Sequence, residues 1–243
     1  MRLLTFSGRT VKEILRDPLN LGFGLGFPLV LLLLLSAIQA NIPVSLFEIE
    51  NLTPGITVFG LSFMTLFSAT LIAKDRESAL LQRLYTTPLT ATDFIFGYVL
   101  PLLPIGLMQS VICYFTAMIL KLPITNTILY AVLFNLPVAL LFIAVGLLCG
   151  SVCNTKQVGG ICGALFTNLA AWLSGIWFDL NLIGGAFKKI AYVLPFVHAV
   201  ELERAVLDGN WAIVLPHLFW VLGYGLVISG IAVLLFLRQM KRQ

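Results

Sequence analysis

The densest cluster of charged residues in this chain lies in the stretch KDRESALLQRLYTTP, residues 74–88, between two long apolar runs. Leu81, Leu84 and Tyr85 have the i, i+3, i+4 spacing of one helical face, and the charged residues lie on other faces. Pro88 cannot continue a helix and favours extended backbone at the residue before it. The stretch therefore predicts a short amphipathic helix followed by a break.

A second helix is predicted directly after this break. Thr90 followed three residues later by Asp93 has the spacing of a helix N-cap. Helix, break and new helix together form an elbow over residues 74–93.

The composition of the chain places this elbow in a membrane protein. Hydrophobic residues make up 59% of the 243 residues and charged residues 11%, and the mean hydropathy is +1.00. A soluble domain carries roughly twice that share of charged residues. The sequence predicts an all-α polytopic membrane protein with a single transmembrane domain, residues 1–243.

Six apolar segments are long enough to cross the hydrocarbon core, which takes about 20 helical residues. The predicted spans are residues 19–40, 55–73, 94–120, 125–150, 158–178 and 214–237. Residues 179–213 contain both charge and proline, and we predict an outer re-entrant segment there that does not cross the membrane.

The distribution of Lys and Arg predicts the orientation. Eleven of the 15 basic residues lie in the N-terminal segment, the elbow, the turn at Lys156 and the C-terminal segment. Cytoplasmic loops carry an excess of Lys and Arg. Both termini and the elbow are therefore predicted to be cytoplasmic.

Residues 1–18 mix basic and apolar side chains. The basic ones are Arg2, Arg9, Lys12 and Arg16. Val11, Ile14 and Leu15 repeat at helical spacing, which predicts an interfacial helix whose basic residues reach lipid headgroups. A signal peptide is the alternative, but the apolar run at residues 19–40 is too long for one.

Motifs for catalysis are weak in this chain. It has no GxxxxGK[ST] phosphate loop, so any ATP chemistry belongs to another chain. His198 and Glu201 share a helical face as a metal site could, but no second histidine is near in sequence, which favours a solvated polar face. The cysteines lie in apolar segments without CxxC spacing, which favours packing; they are Cys113, Cys149, Cys153 and Cys162.

Two motifs and the order of spans resemble the permease subunit of a type-2 ABC transporter, over essentially the whole chain. The first motif is Arg76-Glu77 followed by Leu81, Leu84 and Thr87-Pro88, with Ala79-Leu80 where the family has Gly-Thr. The second is Ser174-Gly175-Ile176 followed by Leu194-Pro195-Phe196-Val197-His198 and Glu203-Arg204. It is similar to the family's outer half-helices between the fifth and sixth spans.

This resemblance implies a half-transporter in the cytoplasmic (inner) membrane. Two permeases, identical or paralogous, would pair, and ABC ATPase subunits that bind ATP and Mg would dock on the elbow. We expect no cofactor on this chain and no nucleic-acid partner. The residues implied in ATPase coupling are Asp75, Arg76, Glu77, Leu81, Arg83, Leu84, Tyr85 and Pro88. Those implied in the outer re-entrant segment are Pro195, His198, Glu201, Glu203 and Arg204.

An elbow that only rests on the lipid surface is the alternative to docking. Its charges are mixed in sign, whereas attraction to anionic lipid favours purely basic segments. This pattern favours docking.

By the same resemblance, the second and fifth spans line the dimer centre. The candidate pathway residues are Phe63, Phe67, Thr70, Thr167, Asn168, Trp172 and Ser174. Mixed polar and aromatic faces suit a hydrophobic or amphiphilic substrate, and a drug, lipid, peptide or glycan all remain open. The same residue types also hold helices together in lipid, so pathway and packing are both open here.

Two alternative functions remain open: a secondary carrier, and a membrane-embedded enzyme using His198 and Glu201. An ion-coupled carrier more often has an acidic residue near the membrane midplane. The predicted spans have none deep inside them, which disfavours a carrier.

The predicted orientation can be tested by labelling in intact cells. The variants Glu48→Cys and Lys188→Cys should react with an impermeant thiol reagent from outside, whereas Arg83→Cys should not, because basic segments stay in the cytoplasm. The unsubstituted chain is the control for its native cysteines. Outside labelling of Arg83→Cys would contradict the six-span topology.

Overall fold

The computed structural model describes residues 2–43, 47–78 and 91–241, and this part of the chain is helical without any strand. Its helices in chain order are α1 (Arg2–Leu15), α2 (Pro18–Leu21), π1 (Gly22–Gly26), α3 (Phe27–Gln39), α4 (Ile49–Glu77), α5 (Ala91–Ile119), α6 (Thr127–Val152), α7 (Thr155–Val158), π2 (Gly159–Phe166), α8 (Thr167–Leu173), α9 (Leu180–Ile183), α10 (Gly185–Val193), α11 (Pro195–Leu207) and α12 (Trp211–Lys241). The prediction of an all-helical chain is confirmed for these residues.

Five helical segments of the described residues are long and apolar enough to cross a membrane. They are Pro18–Gln39, Ile49–Glu77, Thr92–Ile119, Thr127–Val152 and Trp211–Leu235. The predicted fifth span, residues 158–178, falls mainly on π2 and α8, which follow one another directly and are not among these five. The six-span count, the cytoplasmic termini and the re-entrant segment remain predictions.

Helix α4 is the centre of the bundle and is buried along nearly its whole length. It packs against α3, α5, α6 and α11. Thr65 Oγ1 donates a 2.9 Å hydrogen bond to the Phe142 carbonyl, and Ser68 Oγ donates a 3.2 Å bond to the Ile143 carbonyl. Gly146 permits this close crossing, because a Cβ there would collide with Ser68 Oγ and the Thr65 carbonyl.

Helix α1 packs on the start of α5 through a different face from the predicted stripe. Phe6, Thr10 and Ile14 are buried, whereas Val11 and Leu15 are exposed. The Phe6 ring meets the rings of Phe94 and Tyr98 edge-on, with centroids 5.4 and 5.1 Å away. Phe6, Thr10 and Ile14 form the i, i+4, i+8 face of α1, and this face is the buried one. The exposed side chains of Val11 and Leu15 can therefore contact lipid.

The sequence Lys121-Leu122-Pro123 predicts a tight turn after the third span, and the structure has a turn there. Lys121 ends α5 with a φ of 77°, and the Leu122 N–H donates to the Ala117 carbonyl at 2.9 Å, the pattern of a Schellman cap. Residues 79–90, which include the predicted elbow helix, its break at Pro88 and the Thr90 cap, lie outside the described residues.

Candidate functional site

Four consecutive residues at the end of α4, Lys74 to Glu77, bond to five different parts of the chain; we call them the charged junction. Lys74 Nζ lies 3.1 Å from Asp17 Oδ2, just before α2. Burial alone would raise the pKa of Asp17, but hydrogen bonds from Lys74 and Asn20 lower it. This pair fixes the start of the first span beside the end of α4.

Asp75 is the buried member of the junction, with 2% of its surface exposed. Arg9 of α1 donates from Nη1 to Oδ2 and from Nη2 to Oδ1, both at 2.6 Å, and Tyr98 Oη of α5 donates to Oδ2 at 2.7 Å. Burial alone would lower the pKa of Arg9, but the hydrogen bond and charge of Asp75 raise it. Arg9 also bonds to Glu13. One carboxylate thus ties α1, α4 and α5 together.

Arg76 and Glu77 hold the two sides of the next connection. Arg76 Nη1 donates to the carbonyls of Gly150, at 2.9 Å, and Ser151, where a cation stabilises the negative end of helix α6. Glu77 accepts from the backbone N–H of Thr155 at 2.9 Å and from its hydroxyl at 2.6 Å. The junction therefore also fixes the end of α6 and the start of α7.

Three of the predicted coupling residues, Asp75, Arg76 and Glu77, are thus engaged with the rest of the chain. The other five, Leu81, Arg83, Leu84, Tyr85 and Pro88, lie outside the described residues. What the structure adds is a set of ion pairs and hydrogen bonds that attach the end of α4, directly before residues 79–90, to neighbouring parts of the chain.

A cleft of about 450 Å³ lies between the first span, α4 and the π2–α8 segment. Its aromatic lining consists of Phe23, Phe27, Phe59, Phe63 and Trp177, and its polar lining of Asn20, Thr167 and Asn168. The ring of Phe59 is 5.7 Å from that of Phe63 and 6.0 Å from that of Trp177. This aromatic wall offers an apolar surface with neutral hydrogen-bonding groups at its edge.

The structure brings together three of the predicted pathway residues, Phe63, Thr167 and Asn168, in this cleft. Thr167 Oγ1 donates to the Cys162 carbonyl, and Asn168 Nδ2 to the Ala164 carbonyl. Their side chains are therefore held in place by their own helical segment.

The other four pathway candidates lie elsewhere. Phe67 is buried against π1, where a Cβ on Gly24 would collide with its ring. Thr70 lines a small pocket beside the charged junction, and Ser174 is buried and bonded to the Ala171 carbonyl. Trp172 is 54% exposed outside the cleft lining.

His198 has a partner that sequence reasoning missed. His198 Nδ1 lies 2.8 Å from His217 Nδ1, on α12, and His198 Nε2 lies 2.9 Å from the Tyr192 carbonyl. Burial lowers the pKa of His198. The expectation that no second histidine is nearby holds in sequence but is wrong in space, because the antiparallel packing of α11 and α12 brings residues 19 positions apart together.

Glu201 Oε1 accepts a 2.9 Å hydrogen bond from Arg204. In the part of the chain that the structure describes, no hydrogen bond joins Glu201 to His198. No cluster of three or more His, Cys, Asp or Glu suited to a metal ion occurs in the described ranges. Pro195 begins α11, where its missing N–H is not needed.

Glu203 is the second buried carboxylate and comes from outside the predicted spans. It is 0% exposed and bonds to Tyr114 of α5 and Asn135 of α6. The sequence signal was available: Val200 and Leu207, three before and four after it, share its face and are apolar.

Removing the carboxylate of Asp75 should destabilise the protein strongly. Asp75→Ala leaves Arg9 with only the half-exposed Glu13 as its partner and removes the carboxylate to which the Tyr98 hydroxyl donates, and we expect a loss of about 3 kcal/mol in the free energy of unfolding. Glu13→Ala, which removes only the half-exposed partner of Arg9, should lose less than about 1 kcal/mol. Denaturant unfolding of the solubilised protein measures both, and equal losses would contradict a central role for Asp75.

Comparison with known proteins identifies the family. The model of the ABC-2 type transporter family matches residues 1–207. A protein described as a probable multidrug ABC transporter permease, YbhR, from Escherichia coli strain K12 is 23% identical over 167 residues, and its counterpart from E. coli O157:H7 is similar to the same extent. The match covers 68% of this chain and 45% of each relative, so the chain spans about half the length of these relatives. The chain is a multi-pass membrane protein that belongs to the ABC-2 type transporter family.

Proposed function

We propose that this chain is the transmembrane subunit of an ATP-driven exporter, in which partner ATPases act on residues 79–90 and the resulting movement of α4 opens and closes the cleft. One observation carries the proposal. Helix α4 is a single helix of 29 residues that walls the cleft with Phe59 and Phe63 and ends in the charged junction. It is about 44 Å long, enough to connect one face of a membrane to the other.

The charged junction supports transmission of force through α4. Its four residues bond to the segment before α2, to α1 and α5, to the end of α6 and to the start of α7. A displacement applied to residues 79–90 would therefore move several helices together. The buried contact of Asp75 is the closely packed part of the junction, and close packing transmits strain.

Permeases of this family work with an ABC ATPase, and this chain is proposed to do so as one of a pair, identical or paralogous, in the cytoplasmic membrane. ATP and Mg would be bound by the ATPase subunits. The basic face of α1, with Lys12 and Arg16, would contact lipid headgroups.

The lining of the cleft supports a hydrophobic or amphiphilic substrate. Among the described residues that line it, none is charged. Aromatic faces bind apolar and aromatic groups, and the exposed amide of Asn168 can orient a neutral polar group. The related permeases described as probable multidrug transporters are in keeping with such a substrate.

Docking of the ATPase is tested by copurification. Leu84→Asp should reduce recovery of the ATPase with this chain at least tenfold, because a carboxylate buried in an apolar socket costs about 2 kcal/mol or more. The matched control is Leu182→Asp, at a leucine that is 82% exposed on α9, and it should have no effect. Normal recovery of the ATPase with Leu84→Asp would contradict the docking proposal. Uphill transport by this chain without any ATPase would also contradict it.

The cleft is tested by substrate-stimulated ATP hydrolysis in the reconstituted complex. Phe63→Leu removes an aromatic face and should raise the concentration of an aromatic amphiphile giving half-maximal stimulation about 3- to 10-fold. Phe115→Leu, at a phenylalanine that is 60% exposed on α5, is the control. If the two variants respond alike, the cleft does not bind the amphiphile.

A further inference from the structure

The carboxyl group of Glu203 connects three helices at a fully buried position. Tyr114 Oη of α5 donates to its Oε2 at 2.9 Å, and Asn135 Nδ2 of α6 donates to the same oxygen at 3.0 Å. All three side chains are within 1% of complete burial. Both donors therefore converge on one oxygen of the carboxyl group.

Two buried acceptors next to this contact have no donor. Glu203 Oε1 and Asn135 Oδ1 lack any hydrogen-bond partner among the described residues. The amide of Asn135 cannot simply be turned over, because its Nδ2 also donates to the Ala131 carbonyl at 3.2 Å. Turning it would place Oδ1 against two acceptors. The cluster is one proton short of satisfying its acceptors.

No cation compensates an ionised Glu203. Its neighbour Arg204 is paired with Glu201, and none of the ion pairs in the described ranges includes Glu203. The titratable groups of α5 that face the cluster are Tyr114 and Cys113. On α12, His217 is bonded to His198, and no described side chain of α4, α8 or α10 bonds to Glu203. An ionised carboxylate without a cation is strongly disfavoured at such a position.

We propose that Glu203 is a proton-binding site: its carboxyl group is neutral while α11 is seated against α5 and α6, and it gives its proton to water when α11 moves away. A carboxylic acid and a primary amide pair through two parallel hydrogen bonds. Here the amide N–H meets Oε2, and a proton on Oε1 is the donor that Asn135 Oδ1 lacks. A movement of α11 would thus exchange one proton. This site is independent of the proposed transport function, since it rests on the geometry of this chain alone.

Infrared spectroscopy of the full chain in lipid nanodiscs detects the proton directly. At neutral pH the wild type should show the carbonyl band of a protonated carboxylic acid, sensitive to exchange into heavy water. Glu203→Gln should lose this band, whereas Glu201→Gln, at the ion-paired carboxylate on the same helix, should keep it. If Glu203→Gln keeps the same carboxylic acid band as the wild type, the proposal is wrong.

The pH dependence of stability is the second readout. An unfolded glutamate ionises near pH ~4.3, whereas a buried neutral one keeps its proton to higher pH. The folded wild type then holds more protons than the unfolded chain, so its stability relative to Glu203→Gln should fall as pH rises above that value. The ratio of their unfolding constants should change by up to about tenfold per pH unit.

The control variant Glu201→Gln should show no such trend relative to the wild type. A constant difference between wild type and Glu203→Gln at all pH values would mean that Glu203 binds its proton no more tightly in the folded protein than in the unfolded chain, which would overturn the proposal. Failure of Glu203→Gln to fold at any pH would also overturn the proposal, because glutamine is the closest neutral replacement for the protonated acid.

Discussion

The buried carboxylate of Asp75 is the interaction on which the arrangement of the described helices depends most. A charge that is removed from water requires compensating partners, and here Arg9 and Tyr98 supply them from two other helices. Separation of α1, α4 and α5 would therefore leave the Asp75 carboxylate in an apolar surrounding without its partners. With Asp75 fixed, the adjacent Lys74, Arg76 and Glu77 are brought to their own partners.

Polar and aromatic side chains of α4 make different contacts. Thr65 and Ser68 bond to backbone carbonyls of α6, so they serve helix packing and are not available to a substrate. Phe59 and Phe63, on another face, line the cleft. Thr65 and Ser68 thus take part in helix contacts, whereas a pathway role for the residues that line the cleft remains a proposal.

The two buried carboxylates differ in their compensation, and this difference gives them different properties. Asp75 is paired with the guanidinium of Arg9, whereas Glu203 has only two neutral donors on one oxygen. Asp75 holds its helices together through an ion pair, whereas Glu203 holds its helices together through hydrogen bonds of a neutral carboxyl group. No acidic residue lies deep within a predicted span, but α11 brings Glu203 into the bundle from outside the spans.

The sequence by itself determined the class of protein, because 59% hydrophobic residues with clustered charges cannot form a soluble domain. It also identified four of the five candidate spans closely, the turn at Lys121 and the family, since these depend on local composition and spacing. Only the tertiary structure decided that Asp75 meets Arg9, that His217 meets His198, that Glu203 is buried, and which pathway candidates share a cleft. These contacts join residues that are far apart in sequence, and they depend on how each helix is rotated and which helices it packs against. Hydrophobic periodicity specifies neither the rotation nor the packing partner.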